Sequence, residues 1–164
     1  MRVLGVDPGY DRMGIAVIEG SRERPILLSS LCTSTDPKAP FHERLGVVCD
    51  ALRDAIETHR PDALALEEIF FSNNQKTAIQ VAEVRGAIIL VARDAGLSIA
   101  EYNPSAIKIA VTGTGRADKT QVLAMLSKLI VIPDLKEKKR YDDEFDAIAV
   151  AITHLSSARY PHVS

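Results

Sequence analysis

The sequence has few cysteines, little net charge and no long apolar runs. The scarcity of cysteine argues against a zinc site of the Cys-x-x-Cys type, and the lack of long apolar runs argues against a membrane-spanning helix. Its 164 residues include only Cys32 and Cys49, with no Cys-x-x-Cys pair. We therefore expect two reduced thiols and no zinc site of the Cys-x-x-Cys type. No apolar run approaches the roughly 20 residues that span a bilayer. Residues 1–7 are typical of a structural strand and not of a signal peptide, so we expect a cytoplasmic protein.

A formal net charge of -2, with 46% hydrophobic and 26% charged residues, is typical of a globular protein. The length, and the lack of any repeat or linker, predict a single domain over residues 1–164. The net charge alone gives no sign of a nucleic-acid partner. One stretch, 104–140, is locally basic, which suits either phosphate contacts or an ordinary solvated helix face. Its cations are Lys108, Arg116, Lys119, Lys128, Lys136, Lys138, Lys139 and Arg140.

The apolar periodicity predicts an α/β fold. Three strand-like segments separated by turn residues begin the chain, which indicates a meander. A later strand is apolar on both faces, so it belongs in the middle of a sheet that helices cover on two sides. Predicted strands span 2–7, 13–19, 25–33, 62–68 and 97–102, and predicted helices lie between Pro40 and Pro61 and at 75–95, 105–111, 117–129 and 143–157.

The predicted helix at 75–95 is apolar around nearly every side of its second half, from Val84 to Ala92. Such a helix needs two apolar partners. One is the sheet, and the other is either a helix of the same domain or a second copy of the protein. The residues alone leave both alternatives open.

Acidic residues end two of the predicted strands. Asp7 closes the first strand before the turn at Pro8-Gly9, where open α/β sheets place their ligand crevices. Glu67 and Glu68 end the predicted strand 62–68, which is apolar on both faces. An ionised carboxylate at such a position is costly unless a cation or a hydrogen-bond donor compensates its charge. We therefore expect a functional role for at least one of these glutamates, which spacing alone does not distinguish.

A second acidic cluster, Asp142, Asp143, Glu144 and Asp146, opens the last predicted helix. Acids in a first helical turn favour the helix dipole, so the cluster has a purely structural explanation. Helical spacing nevertheless places Asp143 and Asp146 on a face that is otherwise small and apolar. This pattern indicates that the two carboxylates look toward packed protein.

If the acids at the strand ends and in the last helix converge, their repulsion destabilises the fold unless hard cations lie between them. Oxygen ligands suit Mg²⁺ or Mn²⁺, and two such ions can activate a water nucleophile and stabilise the leaving oxygen of a phosphodiester. A nucleotide-binding loop is a weaker interpretation, because Asp118 stands where a glycine has to precede Lys119. Arg116 and Lys119 in that turn are better suited to contact a DNA phosphate.

Several short motifs, in this order and spacing, resemble those of the RuvC family, the bacterial Holliday junction resolvases of the ribonuclease H-like superfamily. The resemblance covers essentially the whole chain. It implies a ribonuclease H-like fold, with a central mixed five-stranded sheet flanked by helices on both faces. It also implies a Mg²⁺-dependent endonuclease that resolves four-way DNA junctions by paired nicks in recombination and repair. The motifs are Gly5-Val6-Asp7-Pro8-Gly9, Leu66-Glu67-Glu68-Ile69-Phe70, Val84-Arg85-Gly86, Lys108, Gly113-Thr114-Gly115 with Lys119, Asp143-Glu144-Phe145-Asp146-Ala147 and Ala151-Ile152-Thr153-His154.

The family's Glu-x-x-Phe and Asp-x-x-Asp patterns select Glu67 over Glu68 and Asp143 over Asp142. The resemblance thus implies that four carboxylates hold two Mg²⁺ ions, for which Mn²⁺ can substitute. They are Asp7, Glu67, Asp143 and Asp146.

The resemblance also implies the DNA contacts and the assembly. Phe70 is expected to stack on an unpaired base, and Lys108, Lys119 and Arg85 to contact DNA. A buried Phe70 and solvated cations are the structural alternatives. The family is homodimeric, which favours a second copy as partner of the helix at 75–95, and it works with the RuvA and RuvB branch-migration proteins.

Three other functions fit parts of the sequence. A YqgF-type ribonuclease H-like nuclease acting on RNA shares the opening Asp-x-Gly-x-x-Arg-x-Gly at 7–14, although the Phe70 and Lys119 regions favour RuvC. A junction-binding protein without catalysis would lack some of the four acids, and all are present. An actin-like sugar kinase needs two domains and about twice this length.

Overall fold

The computed structural model describes residues 1–68, 75–133 and 142–157, and Phe70 and Phe71 lie outside them. The predicted strands and helices are confirmed, and their bounds differ from the predictions by at most a few residues. The strands are β1 (Arg2–Asp7), β2 (Arg12–Ser21), β3 (Arg24–Ser34), β4 (Ala63–Glu67) and β5 (Ser98–Tyr102). The helices are α1 (Phe41–His59), α2 (Gln75–Asp94), α3 (Pro104–Thr112), α4 (Lys119–Leu129) and α5 (Asp142–Ser157).

The described strands form one five-stranded sheet in the order β3-β2-β1-β4-β5. The first three strands make an antiparallel meander, whereas β1, β4 and β5 run parallel to one another. The sheet is therefore mixed, as expected. Since β1 and β4 are neighbours in its centre, their carboxyl ends meet at one edge of the sheet.

Helices cover both faces of the sheet. The alternation of side chains along β1 sends Val3 to one face and Leu4 and Val6 to the other. Leu4 and Val6 pack in a core with α1 and α2, and Val3 packs in a second core with α3, α4 and α5. Because β1 and β4 are buried on both faces, their apolar runs are nearly continuous.

Two glycines let α5 lie directly on the sheet. A Cβ at Gly14 would stand 1.8 Å from the carbonyl oxygen of Asp143, and one at Gly5 would stand 2.3 Å from that of Ala147. Any other residue at these positions would push the helix away. The first turn of α5 is thereby fixed beside the end of β1.

No helix in the described residues has both the length and the hydropathy that a membrane span requires.

Candidate active site

Asp7 and Glu67 lie side by side at the carboxyl ends of the two central strands. They directly follow Val6 and Leu66, which are paired in the parallel register of β1 and β4. The next residue, Glu68, has its backbone N–H bonded to the Tyr102 carbonyl at 2.8 Å. Of the two adjacent glutamates, Glu67 is the one that interacts with Asp7.

Carboxyl groups from three parts of the chain act on one another at this edge. Burial, followed by the charges of Glu67, Asp146 and Asp143, raises the pKa of Asp7 to about 8, although the charge of Lys119 lowers it. Burial also raises the pKa of Glu67 to about 7, followed by the charge of Asp146, while a hydrogen bond with the Asp7 side chain lowers it. The structure thus brings together the four acids that the sequence analysis singled out.

Asp143, in the first turn of α5, is held by residues of the meander. Its Oδ2 lies 3.4 Å from Nε of Arg12, on β2, and its side chain is only 19% exposed. The Cys32 thiol, on β3, donates to the same oxygen over 3.9 Å, and burial raises the pKa of that thiol to about 11. The sequence analysis did not assign Arg12 or Cys32 to the site, because only the fold shows that these strands meet α5.

Asp146 lies one helical turn further along and faces a lysine. Its Oδ2 is 3.6 Å from Nζ of Lys119, which is also 3.6 Å from Oδ2 of Asp142. Burial raises the pKa of Asp146, while the Lys119 ammonium lowers it. The charge of Asp146, followed by that of Asp142, raises the pKa of Lys119.

The donor set fits a hard divalent cation. It consists of carboxylate oxygens alone, and the raised pKa values of Asp7 and Glu67 reflect burial and, after it, repulsion between the acids, both of which such a cation offsets. Over the described ranges, no three His, Cys, Asp or Glu side chains surround a common point at ligand distance. Instead, Asp143 pairs with Arg12, and Asp146 pairs with Lys119. The acids share one edge of the sheet but do not form a finished coordination shell.

A cleft of about 400 Å³ opens beside the acids, between α3, α4 and α5. Glu67 and Asp146 line it together with Lys108 and Lys119, so anionic and cationic groups share one opening. Its remaining lining is largely apolar and includes Ile107, Val122, Leu123, Phe145 and Ala149. A polyanion drawn to the two lysines would reach the carboxyl cluster.

The other residues expected to contact DNA lie elsewhere. Arg85, on α2, pairs with Glu101 of β5 at 2.5 Å, and both side chains are 32% exposed. Arg116 is exposed in the turn between α3 and α4, with its backbone N–H 3.4 Å from the Thr114 hydroxyl. The cleft lining within the described residues includes neither arginine, and the position of Phe70 lies outside those residues.

Known proteins match this chain over nearly all of its length. The family model described as Crossover junction endodeoxyribonuclease RuvC matches residues 3–154. The protein of that name from Brevibacillus brevis is 40% identical over 100% of this chain and 97% of its own. Its counterpart from Pelotomaculum thermopropionicum is 41% identical over 94% of this chain and 92% of its own.

A solved structure, T. thermophilus RuvC in complex with Holliday junction substrate, superposes with a TM-score of 0.89. It is 32% identical and covers 97% of this chain and 95% of that one. The match confirms the expected ribonuclease H-like fold. The carboxyl cluster, its cleft and the sheet that carries them therefore belong to a member of the crossover junction endodeoxyribonuclease RuvC family.

Proposed function

We propose that this chain is an endonuclease that resolves four-way DNA junctions by paired, symmetric nicks in recombination and repair. Family membership supports it, as does the Thermus relative whose structure contains a Holliday junction. The observation that carries the proposal is the meeting of four carboxyl groups beside a lysine-lined cleft. An RNA-directed nuclease is not favoured, since the similarity to RuvC proteins covers the full chain.

We assign the cation site to Asp7, Glu67, Asp143 and Asp146. The family is divalent-metal dependent, and we propose two Mg²⁺ ions, with Mn²⁺ as a substitute. Such cations supply the charge that activates a water nucleophile and stabilises the leaving oxygen of a phosphodiester. Asp7 and Glu67 offer oxygens from the rigid sheet edge, and Asp143 and Asp146 face them from α5.

We assign the phosphate contacts nearest the cut to Lys108 and Lys119, because both line the cleft with the acids. Arg116 and Arg85 extend the proposed DNA surface beyond the cleft. For Arg85 this role requires that its pairing with Glu101 leave guanidinium donors for a phosphate. Phe70 keeps its proposed role of stacking on an unpaired base.

We propose a homodimer that associates through α2. Its exposed face contains Ile79 and Leu90, which are 61% and 54% exposed, with Ala82, Glu83 and Gly86 between them. A Cβ added at Gly86 would meet open space, so a second helix can approach closely there. Two-fold symmetry gives two active sites for two matching strands. Cooperation with RuvA and RuvB, and a cytoplasmic location, complete the proposal.

The test uses a synthetic four-way junction, a linear duplex of the same sequence and an RNA–DNA hybrid. We expect paired nicks in the junction that require Mg²⁺ or Mn²⁺. Asp7→Asn should lower the nicking rate by a factor of about 10³ or more, while junction binding without metal persists. Asp94→Asn, at the far end of α2, is the matched control and should cleave normally. Preference for the hybrid, or nicking by Asp7→Asn at the normal rate, would refute the proposal.

A further inference from the structure

We propose that Asp142, which has no part in the assigned cation site, is a positioning residue that holds the Lys119 ammonium at the mouth of the cleft. The inference rests on the proposed nuclease function. It concerns how Lys119 keeps its place when the acids beside it bind cations.

The backbone of Lys119 is fixed at the start of α4. Asp118 caps the helix, accepting from the Gln121 backbone N–H at 2.9 Å, while its own N–H donates to the Gln121 side chain at 3.0 Å. Lys119 follows directly as the first helical residue. The backbone of Lys119 is therefore fixed, and only its side chain can change its contacts.

Two acids one turn apart on α5 share that side chain. Nζ of Lys119 lies 3.6 Å from Oδ2 of Asp142 and 3.6 Å from Oδ2 of Asp146. Residues at this spacing lie on the same face of a helix, so the ammonium bridges them. Both Lys119 and Asp142 are about three-quarters exposed, whereas Asp146 is 36% exposed.

The two acids differ in what they must do during the reaction. Asp146 belongs to the assigned cation site, so a cation competes with Lys119 for its oxygens. Asp142 lines the same cleft and stays available to the ammonium. When a cation binds Asp146, Asp142 thus keeps the Lys119 ammonium at the mouth of the cleft, beside the proposed position of the DNA phosphates.

An exposed ion pair of this kind adds little to stability, about 0–1 kcal/mol. Its effect is on position, since small displacements of a group near a reacting phosphate slow the chemical step. The charge of Asp142 also repels the phosphates of DNA. Removing that charge should therefore tighten junction binding while it slows cleavage, a pair of opposite changes that loss of structure does not produce.

The test is Asp142→Asn, alone and in a Lys119→Ala background. We expect single-turnover cleavage with Mg²⁺ to fall about five- to tenfold in Asp142→Asn, with a lower dissociation constant for the junction in EDTA. In Lys119→Ala the same change should cost no further rate. Asp50→Asn is the matched control, because Asp50 is an exposed acid paired with Arg53 far from the cleft, and it should leave both quantities unchanged.

A measurement without substrate separates this inference from the proposed function. We expect ¹³C relaxation of the Lys119 ε-methylene group to show greater mobility in Asp142→Asn than in the wild type, both in EDTA and in Mg²⁺. Equal mobility, or an equal rate loss with and without Lys119, would overturn the role of Asp142. A wild type that does not cleave junctions would overturn the proposed function and leave the relaxation result to decide the role of Asp142.

Discussion

Gly14 and Asp143 are in van der Waals contact through backbone atoms, and a Cβ at Gly14 would stand 1.8 Å from the Asp143 carbonyl oxygen. This contact joins the meander to the first turn of α5. It also fixes the position of the first turns of α5, from which the Asp143 and Asp146 side chains project. The geometry of the carboxyl cluster therefore depends on a residue that has no functional group.

Gly14→Ala should displace α5 and disrupt the site. We expect destabilisation of about 1–3 kcal/mol from overpacking, and a larger relative loss of junction cleavage than of junction binding. The control is Gly46→Ala in α1, where an added Cβ meets open space. Alanine there should stabilise the protein by about 0.5–1 kcal/mol. Normal cleavage by Gly14→Ala would show that α5 does not need this close contact.

The stability of the protein in EDTA should fall as pH rises toward 8. In the folded state the pKa values of Asp7 and Glu67 are raised to about 8 and about 7, from ordinary values near 4. A raised pKa means that the folded state holds protons more tightly than the unfolded state. The stabilisation it gives is complete below about pH 4, declines progressively as the pH rises, and is fully lost once the pH has passed the folded-state values of about 7 and 8.

Thermal unfolding of the wild type and of Asp7→Asn measures this effect. We expect the melting temperature of Asp7→Asn, relative to the wild type, to rise between pH 5 and pH 8.5 by roughly 4–8 °C, equivalent to about 2 kcal/mol. Mg²⁺ should raise the wild-type melting temperature more at pH 8 than at pH 5. A pH-independent difference between the two proteins would contradict the burial of Asp7 beside other acids.

Lys108→Ala should weaken junction binding by removing one phosphate contact. We expect a shallower salt dependence, with the slope of log K against log salt concentration reduced by about 1. Lys128→Ala, in the last turn of α4, is the control, since Lys128 is exposed and does not line the cleft. Equal effects of the two substitutions would mean that the cleft is not the DNA path.

Leu90→Glu should dissociate the proposed dimer. The substitution places a second acid, beside Glu83, on the exposed face of α2, where a partner helix would have to bury the added charge. Sedimentation should show monomers at micromolar concentration, and paired nicking should become single nicking. Ile26→Glu is the control, since Ile26 is a similarly exposed apolar residue, 57% exposed, on the edge strand β3. Association that survives Leu90→Glu would place the interface elsewhere.

The sequence predicted the elements because each carries a local signal. The run before Glu67 is apolar on both faces, which predicts a central strand. In the structure this strand, β4, is buried on both faces between β1 and β5. The stripe along α1 ended where Pro61 required it to end. The same local signals placed Asp7 and Glu67 at strand ends, so their proximity follows once the sheet order is known.

The contacts across α5 were not predictable in this way. Arg12 reaches Asp143, and Asp142 reaches Lys119, only because α5 packs on the meander and beside α4. No pattern within either segment encodes the meeting of two distant ones. Arg85 shows the same limit, because its partner Glu101 belongs to a strand that α2 happens to cross.

Two of the four carboxyl groups of the proposed site lie on α5, the last described element in the order of synthesis. All five strands of the sheet, including those that carry Asp7 and Glu67, precede this helix in the chain. A chain whose synthesis stops before α5 would therefore lack half of the proposed cation ligands, and we expect it to be inactive as a nuclease.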